Sequence, residues 1–222
     1  MFGREGVRVF NTGGIFTLIG PKTADLAIEA AQKAAEHGTF VSADLNYRQK
    51  VEPDKKKARA INSKLAPYLG MLVGNDSDLS DALGYDTKVP KNAPYTEWIE
   101  AYRETVFQVA KDLPNLSLIG TQWRGAHNAD VISWGAVLYD RRNDVFYQAP
   151  LRENIPIRDR TGGGDSFASG VLAALLKGKD LETATNWGAA HGALVQETPG
   201  DITMINQRAV EAEAKRALAG GG

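Results

Sequence analysis

The sequence predicts an α/β fold of three layers, with a mostly parallel central sheet between helices and one added β-hairpin. Three observations lead there. Short apolar runs at strand spacing alternate with longer stretches at helical spacing. Each early strand pattern runs into polar residues, and in open α/β sheets ligands sit at those carboxyl ends. A hairpin pattern then interrupts the alternation past the middle of the chain.

The elements follow in order. Val7, Val9 and Phe10 form a first strand that ends in the small-residue turn Asn11-Thr12-Gly13-Gly14. Pro21 and Thr23 introduce a helix over Ala24–His37, with Ala27, Ile28, Ala31, Ala34 and Ala35 at helical spacing and Gly38 as its stop. Phe40–Asp44 is a second strand, leading to Asn46 and Arg48. The charged stretch Asp54–Lys64 reads as a helix closed by Pro67, and Gly70–Val73 as a third strand. Asn75-Asp76-Ser77-Asp78 opens a short helix that stops at Gly84. Residues 95–111 form a longer helix with Trp98, Ala101, Tyr102, Thr105 and Val109 on one side. Leu116–Ile119 is a fourth strand running into a polar loop, Thr121–Asn128.

Val131–Tyr139 and Val145–Gln148 flank Asp140-Arg141-Arg142-Asn143-Asp144 as an antiparallel hairpin. A loop containing Pro150 and Pro156 leads to Thr161-Gly162-Gly163-Gly164-Asp165 and a helix over Ser166–Lys177. Two further helices cover Leu181–Gln196 and Gln207–Leu218, separated by Pro199-Gly200. Residues 1–219 read as one continuous portion of a domain, and 220–222 as a flexible glycine tail.

Composition removes several chemistries. The 222 residues include no cysteine, which excludes disulfides, thiolate nucleophiles and cysteine-based metal sites. Three scattered histidines suggest no metal cluster, and a net charge of −1 gives no general attraction to nucleic acid or an anionic membrane. No run approaches the ~20 apolar residues of a membrane span. The opening residues lack the apolar stretch of a signal peptide, so a cytoplasmic location is expected.

The segment Asp159–Gly170 carries the chemistry. Three glycines let backbone N–H groups turn toward a ligand, and the following helix points its positive end at the same place. That combination suits a phosphoryl group, and a carboxylate at Asp165 can take a hydroxyl proton as the oxygen attacks. The same residues also describe an ordinary glycine turn with an N-capping aspartate. Gly164-Asp165-Ser166 matches the nucleophile block of one esterase group, but no Asp-x-x-His occurs, and Ala168 stands where a nucleophile elbow needs glycine. Neither a P-loop nor a dinucleotide fingerprint is present.

This stretch resembles the second signature of the PfkB, or ribokinase-like, family of carbohydrate kinases, closest to its 2-keto-3-deoxygluconate kinases. The resemblance implies an anion hole at Gly162, Gly163 and Gly164 and a catalytic base at Asp165, which also meets the substrate hydroxyl. It extends along the chain. Asp44-Leu45-Asn46-Tyr47-Arg48 looks like the family's Asp-x-Asn-x-Arg loop, implying Asn46 at the nucleotide and Arg48 at the substrate carboxylate. Asn75-Asp76-Ser77-Asp78 is similar to its Asn-x-x-Glu motif, implying Asn75 at the phosphates and Asp78 at the metal, with Asp in place of Glu. Gly120–Gly125 looks like the strand-end loop on the ATP phosphates, implying Thr121, Arg124 and Gly125, with Trp123 where a smaller residue is usual. Asn186 and Ala190 correspond to the wall of the adenine pocket, and Pro199-Gly200-Asp201 to the closing motif of the sugar-acid kinases.

The implied cofactors are ATP and Mg²⁺, with a monovalent cation as a further candidate. The implied reaction is phosphorylation of 2-keto-3-deoxygluconate at its primary hydroxyl, with fructose or ribose as other family substrates. Against a complete member of ~300 residues, the resemblance begins inside the fold: the N-terminal glycine pair, first strands and β lid have no counterpart. One sheet edge would then need cover, from a second copy or from another chain. A nucleotide-binding or assembly protein without efficient sugar turnover is the alternative that this implies.

Overall fold

A computed structural model describes residues 2–90, 92–200 and 202–220. The fold is the three-layer α/β arrangement with a mixed sheet. The chain divides into two compact units, the first built mainly from residues up to Gly120 and the second mainly from Thr121 onward.

In the first unit, β1 (Val9–Gly13) leads through α1 (Gly14–Leu18) and α2 (Pro21–Glu36) to β2 (Phe40–Asp44). Pro21 opens α2, where its missing N–H costs nothing, and its Ala24, Ala27, Ala31 and Ala34 turn inward. Gly38 takes a φ of +71°, which ends the helix. α3 (Lys55–Leu65) starts on the Asp54 side chain, which accepts the Lys56 and Lys57 N–H groups. A 3₁₀ turn containing Pro67 follows, then β3 (Met71–Val73). The short helix α4 (Asp76–Asp78) runs into a π-turn that ends at Gly84, and α5 (Tyr95–Asp112) returns the chain to β4 (Leu118–Ala126). β1, β2, β3 and the start of β4 pair in parallel in that order. Among the described residues β1 pairs only with β2, and Ile15 and Phe16 of α1 are exposed, as is Ile19, which caps it.

Two sequence expectations need adjusting here. Asn11-Thr12-Gly13 belongs to β1 rather than to the turn after it, because the strand stays in register with β2 as far as Gly13 opposite Asp44. The helix α1 was not legible in Gly14–Leu18, a stretch too short to show a period.

In the second unit, β4 continues through residues expected to form a loop, Thr121–Ala126, because it is hydrogen-bonded to β5 (Val131–Asp140). Arg124 and Gly125 therefore sit on a strand. β5 is buried from Ile132 to Asp140, and it pairs antiparallel with β6 (Val145–Gln148) and β7 (Arg152–Pro156). The loop expected around Pro150 and Pro156 thus contains a strand. Its only apolar interior residue is Ile155, so no alternation was visible. The helices α6 (Gly163–Leu176), α7 (Leu181–Val195) and α8 (Gln207–Leu218) complete this unit.

Arg152 explains how β7 and α8 are held. Its side chain is 1% exposed; Nε donates to Glu213 Oε1 at 3.0 Å and Nη1 to Pro150 O at 3.1 Å. Burial pushes the Glu213 carboxyl upward, but its donors Arg216 and Arg152 outweigh this and hold it below the free value of 4.5. Removing one partner of a buried pair strands the other charge. Glu213→Ala is expected to cost about 3–5 kcal/mol in urea unfolding at neutral pH. A lowered carboxyl contributes stability above its unfolded pKa and loses it as pH falls through the folded value, so the difference from the parent should shrink in acid. No helix among the described residues is long and apolar enough to cross a membrane.

Candidate active site

In the second unit the chain passes from β7 to α6 through the segment at 157–162. Gly162 caps α6 with φ +81°, a left-handed conformation that suits glycine. The helix begins at Gly163. The expectation of a three-glycine turn before a helix starting at Ser166 is therefore corrected: Gly162 alone bends, and Gly163, Gly164 and Asp165 form the first helical turn. The glycine at 163 has another reason. A Cβ there would lie 3.0 Å from the Trp134 ring, and one on Gly192 would lie 2.6 Å from it. Trp134 is buried, donates Nε1–H to Ala189 O at 3.1 Å, and seats the start of α6.

Helix geometry leaves the N–H groups of Gly163, Gly164 and Asp165 without intrahelical acceptors, and Gly162 has no side chain to cap them. Ser166 N–H donates to Gly162 O at 2.8 Å. Asp165 itself is exposed. The approach to this turn is tied down on both sides. Asp159 accepts the Thr161 N–H at 2.9 Å and the Gly200 N–H at 3.0 Å, and these bonds lower its pKa, Thr161 contributing most. Arg160 Nη2 donates to the carbonyls of Asn128 and Ala129. Arg124 is solvent-accessible yet crowded: neighbouring atoms strip part of its water and Arg160 adds like charge, both lowering its pKa. The Arg124 and Arg160 guanidinium groups lie within electrostatic reach of each other, a pairing of like charge that a polyanion would relieve.

In the first unit the polar residues after β2 and β3 are interlocked. Asp44 Oδ1 accepts the Asn46 N–H at 3.1 Å, and Asn46 takes a φ of +33°. Tyr47 N–H donates to Asp78 Oδ1, and Tyr47 OH to Glu52 O. Arg48 is exposed, with Nη1 on the Tyr47 carbonyl at 3.0 Å. Asn75 and Asp78 cap each other reciprocally.

Residues 133–208, which contain the Gly162–Asp165 turn, match the model of the pfkB family of carbohydrate kinases. Over that segment, about a third of the 222 residues, the chain is similar to that family. A 2-dehydro-3-deoxygalactonokinase from Haloferax volcanii is 29% identical over 98% of this chain and 59% of its own length. The crystal structure of 2-dehydro-3-deoxygluconokinase from Thermotoga maritima superposes with a TM-score of 0.85, is 27% identical, and is matched over 95% of this chain and 61% of that one. An Arabidopsis thaliana ribokinase complexed with ribose and ATP shares the fold at 16% identity, with a TM-score of 0.60 over 95% of this chain and 56% of that one. The chain spans about three-fifths of the length of these relatives.

The expected site residues fall out unevenly. Gly162, Gly163, Gly164, Asp165 and Arg124 belong to the second unit, and Asn46, Arg48, Asn75 and Asp78 to the first, where Asp78 is hydrogen-bonded to the Tyr47 and Asn75 N–H groups. Thr121 is fully buried on β4. The Trp123 ring covers Gly125 and packs on Tyr95 at 5.2 Å, which is how a large residue fits there. Ala190 is 0% exposed. Asn186 is buried too, its Nδ2 on Glu182 O at 3.0 Å and its Oδ1 without a partner among the described residues.

Asp78 was expected at the metal, and the structure engages both of its carboxylate oxygens with backbone N–H groups. Among the described residues no group of three or more His, Asp or Glu side chains could hold an ion. Asp201 of the closing motif lies outside the described residues, as do residues 221 and 222 of the tail.

Sequence reasoning missed the fixings of this site. The bonds made by Asp159 and Arg160 were not foreseen, and His191 was not among the expected site residues. It bridges Ser169 Oγ at 3.2 Å and Thr203 Oγ1 at 3.0 Å, and burial lowers its pKa. Ser169 Oγ also donates to Ser166 O at 3.1 Å.

Proposed function

We propose that this chain acts as an ATP-dependent sugar-acid kinase whose substrate is 2-keto-3-deoxygluconate and whose product is the 6-phospho sugar acid. The observation that carries the reading is the start of α6: a left-handed glycine cap, three N–H groups without intrahelical acceptors, and an exposed carboxylate in the same turn. Those N–H groups and the helix dipole stabilise negative charge on a phosphoryl group in flight. Arg124 neutralises phosphate charge. The Asp165 carboxylate takes the proton of the substrate's primary hydroxyl while that oxygen bonds to phosphorus and ADP departs. Bound Mg²⁺ would supply positive charge to offset that of the phosphates. Arg48, planar and always charged, is the group assigned to the sugar acid's carboxylate. The names of the Haloferax and Thermotoga relatives support a 2-dehydro-3-deoxy sugar acid over fructose or ribose.

A second reading is nucleotide binding without sugar turnover. One experiment separates the two. ADP release is followed with ATP, Mg²⁺ and, in turn, 2-keto-3-deoxygluconate, its galacto epimer, fructose and ribose, with ATP binding measured by calorimetry. The kinase reading expects turnover with a sugar acid in preference to the neutral sugars. ATP binding with no sugar-dependent ADP release establishes the second reading, and no ATP binding overturns both.

A further inference from the structure

We infer that Asp78 is a positioning residue for substrate recognition, clamping the Asn46–Arg48 turn so that the Arg48 guanidinium is presented in one place. This rests on the proposed role of Arg48 at the sugar-acid carboxylate. Asp78 is 7% exposed, and neither oxygen is idle. Oδ1 accepts the Tyr47 N–H at 2.9 Å, and Oδ2 accepts the Asn75 N–H at 3.2 Å. Asn75 Oδ1 returns a bond to the Asp78 N–H at 2.9 Å. The carboxylate thus staples the turn after β3 to the turn after β2.

The stapled peptide needs holding. It follows Asn46, whose φ of +33° is uncommon for a residue with a side chain, so the local chain does not favour this shape by itself. The other supports act around it. Leu45 N–H donates to Val73 O, and the Val51 and Glu52 N–H groups donate to Arg48 O, fixing Arg48 from its C-terminal side. Asn46 N–H is held by Asp44 Oδ1 at 3.1 Å, and among the described residues it is Asp78 that accepts the Tyr47 N–H. Burial raises the Asp78 pKa while the Tyr47 and Asn75 bonds oppose it, as expected of a carboxylate kept in place by its donors. Nearby Asp76 is engaged separately, accepting Trp98 Nε1–H at 3.4 Å. A magnesium ligand would instead need an oxygen facing phosphate.

The test compares Asp78→Ala and Asp78→Asn with the parent, reading amide hydrogen exchange at Tyr47 and Asn75 together with steady-state kinetics. Asp78→Ala is expected to speed exchange at both amides by about tenfold or more. It should raise KM for the sugar acid by a similar factor, leaving KM for ATP and half-saturation by Mg²⁺ unchanged. Asp78→Asn keeps one acceptor oxygen, so one of the two amides should stay protected. Unchanged exchange at Tyr47 in both variants overturns the clamp, as does a raised Mg²⁺ requirement with KM for the sugar acid intact. If the parent turns over no sugar acid, the kinase reading fails, and the exchange at Tyr47 decides the clamp by itself.

Discussion

Asp165→Asn should lower kcat by about 10²–10⁴-fold while leaving ATP binding within a factor of about two. The size follows from the task. A positioned general base contributes that much when the proton leaves in the transition state, and asparagine has no basic oxygen to receive it. The shape of the site should survive. Asp165 is exposed in the first turn of α6, so the substitution disturbs no packing, and Gly162 already provides the left-handed cap. The three N–H groups remain to hold phosphate. What changes besides the base is one negative charge at a helix N-terminus, worth about 0.3–1 kcal/mol of helix stability at an exposed position. That is too small to imitate a loss of three orders of magnitude. Single-turnover ADP formation with the best substrate of the panel, alongside ATP calorimetry, gives the answer. Equal turnover in parent and variant would remove Asp165 from the chemistry and leave α6 as a phosphate-binding helix alone.

The legible parts of this protein are those whose signals are local. Phe40–Asp44 and Gln207–Leu218 were read with their observed boundaries, because an apolar run between turn residues and an amphipathic period are written in consecutive residues. The Gly162–Asp165 segment was found for the same reason, although the point where the helix starts was not. That point depends on Trp134, nearly thirty positions earlier, which requires a bare Cα at Gly163 and Gly192. β7 was missed because its buried residue is an arginine whose partner lies on α8. The continuation of β4 past Gly120 was missed because Gln122, Arg124 and Gly125 carry no strand signal of their own; the pairing with β5 decides it. Asp78 shows the limit most plainly. Motif order placed it at a metal, whereas its two oxygens serve backbone groups 31 and three positions away. A resemblance supplies which residues matter, and hydrogen-bond partners supply what they hold.

Gly170→Ala should destabilise the protein although alanine is the better helix former. In an exposed helix the change would gain about 1 kcal/mol of intrinsic propensity. Here the added Cβ would meet Gly188 Cα and Trp187 O at 2.8 Å, both backbone atoms of α7. The crossing is reciprocal: a Cβ on Gly188 would lie 2.9 Å from Phe167 O and 2.7 Å from Val171 Cγ2. Backbone cannot rotate out of the way as a side-chain tip can, so the helices must separate and lose packing along α6 and α7. Overpacking of this kind costs about 1–3 kcal/mol and sometimes more, and a backbone-on-backbone clash belongs at the upper end. The net of the two effects is a loss of about 2 kcal/mol, which for a chain of this size lowers Tm by roughly 4–8 °C. Combining it with Gly188→Ala should cost less than the sum of the two single changes, because the first already opens the gap that the second needs. Thermal unfolding of the parent, both single variants and the double variant measures all of these. A Tm equal to or above the parent's for Gly170→Ala would mean that α6 and α7 do not meet at these glycines. The seat of Asp165 would then have to be sought elsewhere than in this helix pair.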